Sequence, residues 1–299
     1  MGISMESVKE LRQRTSAGVL DCKKALAEND GDVEKAVDYL REKGMSDAAD
    51  KAGRTASEGK VNIEINDNKS KGIMVEVNSE TDFVAKNDQF KDLVSDISDH
   101  VMYSDKEKLD DLLEEPWFED DNKTVNEVIK EAIASIGENI NLRRFERFTT
   151  DGFLQGYIHL GGKIGVLVDF DGELNDDTKQ TAKNIAMHIA ASSPEYINRD
   201  EISDEVIEKE KQIYREQMLN EGKPEHIIDN IVEGKMDKYF TQICLLEQPF
   251  VRDEDISVGE LLEDSSLDIN DFTRFEVGEG IEEEEEDFAA EVMAEMNKE

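Results

Sequence analysis

The stretch Gly72–Val77 reads GIMVEV, and nearly the same pattern returns at Gly165–Phe170 as GVLVDF. Successive side chains of a strand point to opposite faces, so Ile73, Val75 and Val77 alternating with Met74 and Glu76 predict a strand. A polar loop follows each run, and then apolar residues at three- and four-residue steps: Phe90, Leu93, Val94, Ile97 and Val101 after the first, Ile185 and Ile189 after the second. That is helix spacing. A strand–loop–helix pattern present twice constrains the middle of the chain to two related α+β subdomains with antiparallel sheets.

The flanking regions read differently. Residues 4–43 form an all-helical pattern, with Val8 and Leu11 on a first helix and Val19, Cys22, Leu26 and Ala27 on a second. Thr15-Ser16-Ala17-Gly18 offers capping hydroxyls between them, and Asn29-Asp30-Gly31 closes the second helix. Asp32 then caps a third helix, which carries Val33, Ala36, Val37 and Leu40 and is expected to end at Gly44. Some 40 residues bury little, so this is a docking module rather than a reactive centre. Met45–Gly59 reads as a partly helical tether.

Val61–Ile65, an Asn66–Lys71 turn and Ile73–Val77 predict a hairpin. Helical segments follow to about Ile140, then strands at Leu142–Thr150, Phe153–Leu160 and Ile164–Phe170. Two amphipathic runs from Ile202 to Ile243, broken at Gly222-Lys223-Pro224, predict an antiparallel coiled-coil hairpin. Beyond it come a short helix at Val258–Glu263, a strand near Phe272–Val277 and a terminal helix carrying Phe288, Val292, Met293 and Met296. The domain expectation is therefore 1–57 helical docking domain and tether, 58–141 core subdomain N, 142–277 core subdomain C with the hairpin insertion 200–243, and 278–299 a C-terminal helical module.

Charge narrows the partners. Over 299 residues, 73 acidic against 35 basic side chains leave a net charge of -38. Such a field repels phosphate backbones and anionic lipid, which disfavours a direct nucleic-acid or membrane role. It is read either as a solvated surface suited to a salty cytoplasm or as steering toward a basic partner. Cys22 and Cys244 stand far apart in no metal-type spacing, so no disulfide framework is expected. The N-terminus lacks an apolar signal core and no run approaches membrane-spanning length, so a cytoplasmic location is expected.

No catalytic constellation is expected. His100, His159, His188 and His226 share no ligand spacing, and His100 and His188 fall at equivalent helix positions of the repeat, where a core or helix-end role is favoured. Gly161-Gly162-Lys163 lacks the Ser or Thr of a phosphate loop and precedes a strand rather than a helix, so it reads as a tight hairpin turn. Asn78–Asp82 are five polar residues ending at Phe83. Phe83 is either a core plug, the commoner fate of an aromatic at a strand end, or a ring presented to a partner's groove. The residues alone leave both open.

Two segments, Leu11–Leu26 (LRQRTSAGVLDCKKAL) and Glu76–Lys86 (EVNSETDFVAK), are similar to the signatures of the bacterial translation elongation factor Ts family, nucleotide-exchange factors of the GTPase elongation factor Tu. Ile136–Asn141, Ile185–Ser192 and Phe275–Ile281 are also family-like. The resemblance implies an N-terminal ubiquitin-associated-like domain that docks through Val19, Leu20 and Lys23. It also implies a wedge at Asp82 and Phe83, flanked by Thr81 and Val84, that enters near the partner's magnesium site. His159 matches a second contact, and Val292 and Met293 match a C-terminal docking module. Magnesium then belongs to the partner, and this chain needs no cofactor. A non-catalytic chaperone or assembly scaffold is the alternative function. Oligomeric state is left open, a homodimer or a 2:2 complex included.

Overall fold

The computed structural model describes residues 3–15 and 17–281. It is an α+β protein, and the chain divides into two compact units. One comprises the residues up to Lys60, Val75–Phe145 and the segment from Glu276; the other comprises Val61–Met74 and Glu146–Phe275.

In the first unit, α1 (Met5–Thr15), α2 (Val19–Glu28) and α3 (Val33–Lys51) bury Val8, Leu11, Cys22, Ala25, Leu26 and Ala36 against one another. Asp32 caps α3 by accepting from Lys35 N, as its sequence position predicts. Two expectations are corrected. The third helix does not end at Gly44 but continues to Lys51. A Cβ on Gly44 would stand 3.0 Å from Ala134 Cβ, so this glycine permits a close approach rather than terminating the helix. The hydroxyl of Thr15 does not cap α2 either. It donates to Leu11 O at the end of α1, and the α2 cap is Gly18 without a side-chain bond.

β1 (Glu58–Ile65) and β2 (Lys71–Ser79) form the expected hairpin, its turn held by Asn66 Oδ1 accepting from Ser70 N and Lys71 N. The expected strand β2 is present, and it is buried on both faces: every residue from Gly72 to Ser79 is buried. As the middle strand of the order β1-β2-β5 it has a hydrogen-bonded neighbour on each edge as well.

α4 (Asp82–Ala85) and α5 (Asp88–Tyr103) follow, and α5 buries Phe90, Leu93, Val94, Ile97 and Val101 as the spacing predicts. The segment after it is not purely helical. Between α6 (Leu109–Leu113) and α7 (Val125–Ile136) lies a small hairpin of β3 (Pro116–Trp117) and β4 (Asp120–Thr124), and β5 (Ile140–Thr149) ends the repeat.

The second half restates the plan. β6 (Phe153–His159), β7 (Ile164–Asp171) and β10 (Asp268–Glu276) form a sheet of order β10-β7-β6 with β7 in the middle. α8 (Asp176–Ser192) follows β7; α9 (Asp204–Asn220) and α10 (Glu225–Ile243) form the helical hairpin; β8 (Pro249–Phe250), β9 (Asp253–Ser257) and α11 (Val258–Ser265) precede β10. The repeat is closer than the sequence suggested. Pro116 pairs with Thr124 and Trp117 with Asp120, while Pro249 pairs with Ser257 and Phe250 with Asp253. Each hairpin then opens a helix with a capping box, Thr124 with Glu127 and Ser257 with Glu260. Within α9 and α10, Met218, Ile228, Val232, Met236 and Phe240 share a buried seam.

Candidate partner-docking site

Phe83 sits in the first turn of α4 with 81% of its surface exposed, so the core-plug alternative is excluded. Local sequence dictates this placement. Thr81 is the helix N-cap, its hydroxyl accepting from Val84 N at 3.3 Å, and the turn ends at Lys86. Asp82 Oδ2 receives Lys86 Nζ at 2.6 Å across one helical turn, and this partner holds the Lys86 ammonium above its ordinary pKa. Thr81, Asp82 and Val84 are half-buried around the exposed ring.

The loop that carries the tip is braced from below. The carboxylate of Glu138 accepts from Thr81 N at 3.0 Å and from Thr81 Oγ1 at 2.6 Å. In return Glu80 Oε1 accepts from Asn139 N at 2.5 Å, and Arg54 Nη1 lies 3.5 Å from the same oxygen. Sequence reading missed Glu138 and Glu80, because no periodicity marks a carboxylate that reaches across from another element. It also missed Glu76, on the strand leading to the tip, which meets Arg143 Nη1 at 3.0 Å and Arg144 Nε at 2.6 Å.

The other expected contact residues fall elsewhere. Val19 is 39% exposed and Leu20 80% exposed on the first turn of α2, beside exposed Lys23. His159 ends β6 and its Nδ1 bonds Tyr157 Oη at 2.9 Å. The turn after it runs Leu160, Gly161 and Gly162 at φ of 47°, 69° and 110°, the left-handed region that glycine tolerates and leucine does not favour. Leu160 is 72% exposed there, an apolar neighbour of His159 absent from the expectations. Val292, Met293 and the C-terminal helix lie outside the described residues.

The remaining candidates are structural. His100 is buried, its Nε2 3.2 Å from Glu115 and its ring stacked on Trp117; His188 is buried with Nε2 2.8 Å from Gln248. Cys22 and Cys244 are buried free thiols. Among the described residues no group of His, Cys, Asp or Glu is placed to hold a metal ion, and no helix is long and apolar enough to cross a membrane.

An exposed aromatic ring on a capped, braced loop and exposed apolar residues on a small helical module are, in an α+β protein, the kind of surface feature that marks candidate docking sites. Comparison narrows the class. The family profile "Elongation factor TS" matches residues 80–279. The chain is 70% identical to the elongation factor Ts of Halothermothrix orenii over 298 residues, covering all of both chains. It is 47% identical to that of Trichlorobacter lovleyi, with 98% of each covered, and 45% identical to that of Clostridium novyi, with 99% of each covered. The chain belongs to the elongation factor Ts family.

Proposed function

We infer from family membership that the chain is a nucleotide-exchange factor for the GTPase elongation factor Tu, and we propose that it releases GDP by inserting Phe83 beside the partner's magnesium and phosphate site. The observation that carries the wedge reading is the 81% exposure of a Phe ring on a loop whose backbone is tied down. Burying a ring of this size in a partner yields about 1.5–3 kcal/mol. A rigid carrier keeps that gain from being lost to ordering entropy.

Exchange is thermodynamic linkage: factor and nucleotide weaken each other's binding by the same factor. A thousandfold faster release corresponds to about 4 kcal/mol, at roughly 1.4 kcal/mol per decade. Phe83 alone does not reach this, so a second contribution is required. Asp82, carried on the same turn, supplies it by approaching the metal site, after exchanging its bond to Lys86 for contacts in the partner. Val19, Leu20 and Lys23 on α2, and His159, are assigned to docking contacts that raise affinity.

The test is stopped-flow release of labelled GDP from elongation factor Tu. Phe83→Ala is expected to fold normally and to lose most of the stimulation. Normal stimulation by that variant would refute the wedge, and binding of wild type without acceleration would indicate a scaffold instead.

A further inference from the structure

The ring of Phe83 is exposed, so its direction follows the backbone that carries it: residues 79–82, which lead in, and the turn of α4, where Lys86 N donates to Phe83 O. That backbone has one dominant set of ties. Glu138 follows Gly137, the left-handed C-cap of α7, which turns the chain so that the Glu138 carboxylate faces the loop. Its two oxygens take both donors of Thr81, the backbone N–H at 3.0 Å and the hydroxyl at 2.6 Å. The hydroxyl, its proton committed to Glu138, accepts from Val84 N and so closes the first turn of α4. Glu80 returns a bond to Asn139 N, and Ser79 Oγ donates to Thr81 O. Asn139 is itself buried and anchored through Nδ2 to Arg54 O at 2.7 Å.

We propose that Glu138 is a positioning residue for exchange: its bidentate grip on Thr81 sets the direction in which Phe83 and Asp82 leave the surface. Two charge-assisted bonds to one residue fix both the entry of the backbone and its cap, and the exposed ring carried on that turn inherits the direction. Without the grip the tip samples other orientations, and only a fraction of molecules presents the ring correctly. The apparent affinity and the bimolecular exchange rate fall by that fraction.

The proposal rests on the wedge reading, and a double-mutant cycle separates the two. In the GDP-release assay with elongation factor Tu, Glu138→Ala is expected to lower the second-order rate of stimulated release about 10- to 100-fold. The same substitution in a Phe83→Ala background is expected to change it little, because the tip it positions is already blunted. Thr81→Val, which removes only the hydroxyl, is expected to reproduce a large part of the loss while Thr81→Ser retains activity. It keeps the proposal testable should Glu138→Ala fail to fold. Normal exchange by Glu138→Ala, or a loss fully additive with Phe83→Ala, overturns the positioning role and leaves the wedge standing. If Phe83→Ala itself exchanges normally, the wedge reading falls instead.

Discussion

The carboxylate of Glu76 has no exposed surface, and it accepts from Arg144 Nε at 2.6 Å. Arg143 Nη1, Gly278 N and Asn78 Nδ2 complete its shell at 3.0, 2.9 and 3.1 Å. Arg143 also donates to Glu279 O, and Arg144 to Glu276 O at 3.2 Å. One buried acid on β2 thereby ties β5 to the end of β10.

Glu76→Ala removes the carboxylate shared by two partly buried guanidiniums, of which Arg144 keeps its 3.3 Å pair with Glu279. It is expected to destabilise the protein by about 3–5 kcal/mol in urea unfolding. The pH dependence has a definite sign. Burial pushes the Glu76 pKa up, but the Gly278 N–H and the two arginines outweigh it and hold the pKa below the ordinary range. A depressed carboxylate contributes stability that is complete above its unfolded pKa of about 4.3 and is lost as pH falls through the folded value. The stability gap between wild type and Glu76→Gln should therefore be flat from neutral pH down to about 5 and close at lower pH.

His188 is held neutral. Its Nδ1 accepts from Val251 N at 3.2 Å, so the ring proton sits on Nε2 and is given to Gln248 Oε1. Burial pushes its pKa down, and the Gln248 bond only partly offsets this. The unfolded chain then takes up the proton first, so this site loses stability as pH falls below about 6.5. His100 faces a carboxylate, Glu115, in the equivalent place. Gln248→Glu is accordingly expected to raise the His188 titration point in an NMR pH series, and an unchanged or lower value would contradict the argument.

Gly165, the second residue of β7, lies under close contacts. A Cβ there would clash with Val61 Cγ1 and lie 2.9 Å from Met74 Sδ. Gly165→Ala is expected to destabilise by about 1–3 kcal/mol through overpacking, read as a lower urea midpoint at unchanged slope.

Leu20 is exposed on α2, so Leu20→Ser should change stability by no more than about 0.5 kcal/mol. If α2 docks as proposed, calorimetric titration with elongation factor Tu should show a roughly tenfold weaker affinity, about 1.4 kcal/mol. Equal affinity would remove α2 from the interface.

A net charge of -38 makes the folded state repel itself. Raising ionic strength from about 0.01 to 0.15 M shortens the screening length from about 30 to 8 Å. The melting temperature should rise over that range, and a fall would show that attractive surface pairs dominate.

Much of this was legible in the chain. The 3.6-residue pattern of α5 and the capping signal at Asp32 were read from residues that bury or bond locally. The GIMVEV/GVLVDF echo announced two strands, each of which tertiary structure placed in the middle of its sheet. It did not announce that the repeat includes the two-residue hairpins at Pro116 and Pro249, which are too short to carry a period. The burial of Glu76 in β2 was not legible for a physical reason: nothing in the local pattern marks a carboxylate as buried until two arginines from β5 are seen to meet it. The end of α3 misled because a glycine is ambiguous between a cap and a helix contact, and only Ala134 resolves it.

By itself the sequence determined most of the longer elements, the repeat and the position of an aromatic beside a carboxylate in a polar loop, since periodicity, capping and turn chemistry act over a few residues. It left Phe83 balanced between core and surface. Tertiary structure decided that question, and decided that Glu138 grips Thr81, because exposure and hydrogen-bond reach depend on which distant segments fold against the loop. Those contacts join residues more than fifty positions apart, a separation at which no local pattern carries information.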